Sequence, residues 1–366
     1  MRIGLVIYGE LSTGSGGYLY DRMLVDALRR AGDRVDVISL PRKGYAACLL
    51  QNLDRGLRAA LRAWDGHLLL QDELNHPSLF SLNRELRRLR PVPVISIVHH
   101  LRTSERNPPA ARGLYRLVER AYLRSVDGFL FNSHGTRQCV ERLIGGPARG
   151  IVATPGGDRL GLVPREQEVT RRCAEEGPLR ILFVGNIIPR KGLRGLIDAL
   201  AQIPLHLWSL TVAGSPDMDR RYAAEVDRVI AARALGGSVR MAGRLDEDRL
   251  AEAYRTHHVL AVPSQHEGFG IVYLEAMGFG VVPIGSRTGG AAEVIGHGKS
   301  GCLVTPGDTR GLADTIAGLA ADRGLLRTLA LGARMRFRSF PGWQSSMNAA
   351  RDHLHGLAGQ AGALHG

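Results

Sequence analysis

Residues Gln265 to Met277, reading Gln-His-Glu-Gly-Phe-Gly-Ile-Val-Tyr-Leu-Glu-Ala-Met, place two carboxylates, Glu267 and Glu275, eight positions apart around a Gly-Phe-Gly turn. Were the stretch helical throughout, eight steps of about 100° would leave the carboxylates roughly 80° apart on the helix surface. Gly268 and Gly270 argue against that. Val259 to Val262 reads as a buried strand, Pro263 to Gly268 as a loop and Gly270 to Phe279 as a helix, so Glu267 precedes the helix and Glu275 lies within it. The first turn of such a helix offers unpaired N–H groups and the positive end of the helix dipole, which suit a diphosphate. A ligand carrying both hydroxyls and phosphates can use all three features.

A second stretch, Ile181 to Gly192, is an apolar strand ending at Gly185 that then presents Arg190 and Lys191 before a helix. Cations are disfavoured near a helix N-terminus unless an anion binds there, so this pair points to the same diphosphate. His99 closes the apolar run Ile95-Ser96-Ile97-Val98, at a strand end, where α/β sites collect their polar groups. Gly14-Ser15-Gly16-Gly17 follows the first strand and opens a helix, so its main chain can approach a phosphate closely. A dinucleotide fingerprint fails there, because Leu19 stands where the third glycine belongs and Asp36 lies inside the second strand. No Gly-x-Ser-x-Gly elbow occurs to support a serine hydrolase.

The elements that must position these groups come in two runs of strands alternating with amphipathic helices, which predicts parallel sheets covered on both faces. The first run has strands near 3–8, 35–40, 67–71, 94–98, 128–132 and 150–154; the second near 180–185, 208–213, 239–242, 259–262, 281–285 and 301–304. Between them, residues 163–177 are polar and lack periodicity, as a linker would. A chain of 366 residues exceeds the size at which one core usually keeps growing, so two domains are expected. Two doubly wound domains place a ligand at the carboxyl ends of both sets of strands. No apolar run reaches the ~18 residues that span a bilayer, and Met1 to Ile7 reads as a buried strand rather than a signal peptide. The four cysteines, Cys48, Cys139, Cys173 and Cys302, form no close pair, against both a disulfide framework and a zinc site and in keeping with a cytoplasmic location.

The segment bearing the two carboxylates resembles the E-x7-E motif of the family 4 retaining glycosyltransferases (glycosyl transferases group 1), and similar segments run through most of the chain. The resemblance implies the GT-B fold: two α/β, doubly wound, Rossmann-like domains facing each other across a cleft. Residues 1–160 would form the acceptor-side domain, 161–177 a linker, 178–345 the nucleotide-sugar domain, and 346–366 a last helix returning to the first. In that family the first Glu lies against hydroxyls of the transferred sugar and the second holds the ribose, which here implies Glu267 and Glu275. The intervening main chain, Gly268, Phe269, Gly270, Ile271 and Val272, would contact sugar and diphosphate. Lys191 matches the family's lysine on the leaving diphosphate. Asn186 stands where many members have Arg, so Arg190 would supply the second cation. Gly16 and Gly17 resemble the family's Gly-Gly loop, His99 its sugar-contacting histidine, and Arg244 and Leu245 its base-contacting turn. Thr154-Pro155-Gly156-Gly157-Asp158 resembles the loop closing the first domain.

What the resemblance implies is transfer of one sugar, with retention, from a nucleoside-diphosphate sugar of UDP or GDP type to an acceptor hydroxyl in lipid-linked glycan, polysaccharide or glycolipid synthesis. It implies no cofactor and no metal, since Arg190 and Lys191 can take the ion's place. The alternatives are a nucleotide-sugar epimerase on the same fold and a non-catalytic nucleotide-binding scaffold at a membrane. Charge bears on the partner. The formal net charge is +13, and residues 1–160 hold 24 of the 48 Lys and Arg but 15 of the 35 Asp and Glu. Arg84, Arg87, Arg88 and Arg90 cluster at helical spacing, and Arg112, Arg116, Arg120 and Arg124 make a four-residue stripe. Aromatics are 5% of the chain and no nucleic-acid motif occurs, so an anionic membrane at the inner face is the expected target rather than nucleic acid.

Overall fold

The computed structural model describes residues 1–89, 92–105 and 107–363. Arg90 of the first basic cluster lies outside them. The chain divides into two compact units, Met1–Pro155 with Trp343–Gly366, and Gly156–Gly342.

The first unit is built on strands β1 (Arg2–Tyr8), β2 (Arg34–Leu40), β3 (Leu68–Asp72), β4 (Val94–Val98), β5 (Gly128–Phe131) and β6 (Gly150–Val152). They form one parallel sheet in the order β2-β1-β3-β4-β5-β6. The central strands are almost wholly buried, which is why β1, β3 and β4 read as nearly unbroken apolar runs. The helix Gly16–Arg30 starts directly after the glycine loop, capped by Ser15, whose hydroxyl accepts from the Tyr18 amide. The C-terminal helix Trp343–Ala363 belongs to this unit. Trp343 sets its ring edge-on to Tyr20, and Arg351 and His355 both bond Asp33, at 2.8 and 3.0 Å. Burial would raise the Asp33 carboxyl, but the hydrogen bonds it receives, those of His355 and Arg351 among them, bring it down to about 2.

The second unit carries β7 (Leu179–Val184), β8 (Trp208–Ala213), β9 (Val239–Gly243), β10 (Val259–Ala261), β11 (Val282–Ser286) and β12 (Cys302–Val304). These too are parallel, in the order β12-β11-β10-β7-β8-β9. Both orders step outward from the first strand of the set in one direction and then the other, the doubly wound pattern.

Residues 161–177, expected to be linker, contain the helix Glu166–Ala174 and lie inside the second unit. Val169 and Cys173 are buried, and the Arg172 guanidinium donates to the carbonyls of Tyr254, Arg255, Phe279 and Gly280 at 2.6 to 3.2 Å. Exposed Glu166, Glu168 and Arg171 around those two apolar anchors hide the helical period in the sequence. The last helix likewise starts at Trp343, ahead of the expected 346.

Candidate active site

In the second unit the two cations meet the first carboxylate. Pro189–Lys191 makes a short 3-10 turn beyond β7, and Gly192 closes it in the left-handed region at φ +76°. A Cβ on Gly192 would sit 2.3 Å from the Pro263 carbonyl oxygen, so only glycine lets this turn press against the loop beyond β10. The Arg190 carbonyl takes the Gln265 amide at 2.8 Å, and Arg190 Nη1 donates to the His266 carbonyl at 2.8 Å. Held in this way, Lys191 Nζ lies 2.6 Å from Glu267 Oε1 and Arg190 Nη1 3.7 Å from Oε2. The Ser264 hydroxyl donates to Oε1 as well.

Glu267 is only 7% exposed. Burial works against its charge, but Lys191 and Arg190 outweigh it and hold the carboxyl at about 2. Burial pulls the Lys191 ammonium below its ordinary value while Glu267 opposes the pull. The result is an ionised cluster of two half-buried cations around one buried anion, with one positive charge in excess. From the same loop the chain enters the helix Ile271–Gly278, whose N-cap Gly270 offers no capping side chain. Phe269 is buried edge-on to Phe340, Ile271 is buried, and Gly268 and Val272 are half-buried. Glu275, on that helix, has other partners: Arg159 Nε at 2.6 Å and the Tyr254 hydroxyl at 3.3 Å.

The Asn186 amide meets Met218 Sδ at 2.9 Å, leaving Arg190 as the cation beside Lys191. Arg244 is exposed just past β9, with Leu245 half-buried beside it. Two Asp-x-Asp sequences, 217–219 and 246–248, are used locally: Asp219 and Asp246 cap helices by accepting from the Tyr222 and Arg249 amides.

In the first unit, His99 ends β4 beside the glycine loop, with the Cα of Gly17 facing its ring and exposed Gly16 one residue earlier. Its Nε2 lies 3.0 Å from Asp21 Oδ1, and its Nδ1 is buried with no hydrogen-bond partner among the described residues. Burial alone would lower this histidine, but Asp21, with Asp72 and Glu73 beyond it, raises it to about 9. It is an imidazolium at neutral pH, suited to donate a hydrogen bond from Nδ1 and unsuited to steady a neighbouring positive charge. His100 instead pairs with Glu105 at 3.1 Å.

Behind His99 lies a set of groups not foreseen as site residues. Burial raises Asp72 to about 7 and Glu73 and Glu119 to about 8, and lowers His76 to about 4. Asp21, Asp72 and His99, and separately Glu73, His76 and Glu119, each bring three potential metal-ligand atoms within 4.8 Å of one another. Asp72 ends β3 and Glu73 directly follows it, so a strand-end rule could have found them. Asp21 and Arg159 carry no such signal, being one turn into a helix and 116 positions from its partner carboxylate.

Comparison with known proteins follows the same division. Residues 165–336 match the model of the glycosyl transferases group 1, and residues 15–157 that of the glycosyl transferase 4-like domain. Among curated relatives, D-inositol 3-phosphate glycosyltransferase 2 of Catenulispora acidiphila is 29% identical over 62% of this chain and 57% of its own. The D-inositol 3-phosphate glycosyltransferase of Kribbella flavida is 30% identical over 62% and 56%. The matched region thus spans less than two thirds of the length of these relatives. Among solved structures, sucrose-phosphate synthase from Thermosynechococcus elongatus superposes with a TM-score of 0.82 at 24% identity, over 97% of this chain and 98% of that one. Anabaena HepE, crystallised with UDP-glucose, gives 0.77 at 19% identity over 97% and 100%. With one family model on each parallel-sheet unit and GT-B glycosyltransferases as structural neighbours, the chain belongs to the glycosyl transferases group 1, the family 4 glycosyltransferases of GT-B fold.

Proposed function

We propose that the protein is a retaining glycosyltransferase that moves a sugar from a nucleoside-diphosphate sugar to an acceptor hydroxyl. The observation that carries this reading is the cluster of half-buried Lys191 and Arg190 on buried Glu267, at the start of a helix with no capping side chain. Breaking the bond between the anomeric carbon and the β-phosphate oxygen leaves the electron pair on the diphosphate. Fixed cations meet that growing charge more strongly in the transition state than in the ground state. The acceptor oxygen bonds the anomeric carbon on the face the diphosphate leaves, and its proton passes to a diphosphate oxygen. Glu267 orients sugar hydroxyls, Glu275 accepts from the ribose, and the imidazolium of His99 donates to a sugar or phosphate oxygen. No metal enters this scheme.

Because HepE was crystallised with UDP-glucose, uridine donors are the first to try, with guanosine donors beside them. The purified protein is incubated with a panel of both, with glycan and lipid-linked acceptors, and nucleoside diphosphate and products are followed. Release of nucleoside diphosphate with a glycosylated product supports the reading. No release with any pair sinks it, and a sugar epimerised without an acceptor would replace it with the epimerase.

The acceptor side of the proposal is a lipid surface. On the helix Pro109–Leu123, Arg112 and Arg116 are exposed about 40° apart, and exposed Leu117 and Leu114, at 68% and 46%, continue around the helix from Arg116. A basic edge beside an apolar one suits an anionic interface. Among the described residues no helix is long and apolar enough to cross a membrane. The protein is expected to float with vesicles containing anionic phospholipid at low salt, to be released at high salt, and to lose the contact in R112E/R116E. Equal flotation with neutral vesicles, or none, would remove the membrane from the proposal.

A further inference from the structure

Glu275 is 1% exposed, and both its oxygens have partners within the second unit. Arg159 Nε meets Oε1 at 2.6 Å, and Arg159 Nη1 reaches on to Glu247 Oε1, also at 2.6 Å. The arginine arrives there because the chain before it runs hard against the helix Ile271–Gly278. A Cβ on Gly157 would lie 2.8 Å from Leu274 Cγ and 3.0 Å from its carbonyl carbon, so a side chain there would push Arg159 away from Glu275.

We propose that Arg159 is a positioning residue for nucleotide recognition: it orients the buried Glu275 carboxylate and balances its charge, so that the carboxylate can accept hydrogen bonds from ribose hydroxyls. The proposal rests on the ribose role given to Glu275 above. A carboxylate oxygen has two acceptor positions, so the Arg159 contact on one oxygen and the Tyr254 contact on the other leave room for a diol. The charge argument points the same way. Burial raises the Glu275 carboxyl, with Arg159 first among the groups that oppose it, then Tyr254, while exposed Glu247 adds to the rise. The arginines of neighbouring elements are engaged with carbonyls: Arg255 with Leu162, Arg334 with Pro164, and Arg336 with Glu293 and Val294. Among the described residues, Arg159 is the cation that meets Glu275.

Without it, the buried carboxyl titrates closer to neutrality and holds ribose poorly when protonated. The test is binding of UDP, GDP and inorganic pyrophosphate between pH 6.5 and 8.5 to the wild type, R159M, R159K, E275Q and R159M/E275Q. Nucleotide affinity of R159M is expected to fall about tenfold at the acid end, the scale of one hydrogen bond to a charged group, and to recover as pH rises. R159K should restore most of it with little pH dependence, the double variant should bind no worse than E275Q, and pyrophosphate, which has no ribose, should bind R159M as it binds the wild type. Wild-type nucleotide affinity in R159M at every pH, or an equal loss toward pyrophosphate, overturns the proposal and leaves the transferase reading standing. Failure of the wild type to bind any nucleotide overturns both. Melting of the ligand-free proteins separates folding from recognition: the R159M deficit should grow as pH rises, since deprotonating an unpaired buried carboxyl costs stability, and should lose that pH dependence in the E275Q background.

Discussion

Replacing Lys191 by alanine is expected to lower turnover by at least about 100-fold, the scale on which one transition-state charge donor is removed from other enzymes. Lys191 Nζ is held 2.6 Å from Glu267, on a turn that only Gly192 allows to press against the Pro263 loop, so it is pre-placed and needs no reorganisation when the diphosphate leaves. Its effect should fall on kcat more than on nucleotide affinity, because charge on the leaving oxygen grows during the reaction. K191M, which keeps the apolar stem, controls for packing. Steady-state kinetics of both variants with the best donor of the panel, beside their melting curves, provide the check. Near-normal turnover in a folded variant would refute the role.

The second large effect is expected of Glu267→Gln, again on turnover rather than on binding. In the structure Glu267 occupies Lys191 and draws in Arg190, and its carboxyl, held at about 2, stays ionised throughout the working pH range. Removing that anion frees two cations, so affinity for nucleoside diphosphate should be kept or increased. Turnover should nevertheless fall by about 100-fold or more, because the sugar loses the acceptor that orients it and the cations bind substrate and product more uniformly. Calorimetric titration with nucleoside diphosphate and single-turnover kinetics measure the two quantities apart. Weakened nucleotide binding with unchanged turnover would mean that Glu267 serves the nucleotide rather than the sugar.

Much of the architecture was readable before any coordinates, because its signals are local. Among the described residues the twelve strands fall within about two residues of the runs that announce them, and central ones such as β3 and β4 are nearly unbroken apolar runs because they are buried on both faces. The loop and helix bearing the two glutamates were readable for the same reason, from glycines, a proline and an apolar turn. The helix Glu166–Ala174 was not, because its buried face is two residues wide and its anchor, Arg172, looks like a surface charge until its four carbonyl partners are seen.

The sequence by itself determined the family, the two parallel-sheet units and the residue types gathered at strand ends, since order and spacing of short motifs are properties of the chain. It did not determine which charges face one another. That Lys191 closes on Glu267, 76 positions away, that Arg159 rather than solvent meets Glu275, and that Asp21 makes His99 a cation were decided only by tertiary structure. The physical reason is that a charge's partner and its burial are set by packing between distant segments, and these fix its protonation state and direction of action, whereas its identity is written locally. The two glutamates that share one motif in the sequence thus sit in different electrostatic settings: one is held well below the usual carboxylate range between two cations, the other is raised by burial against a single arginine.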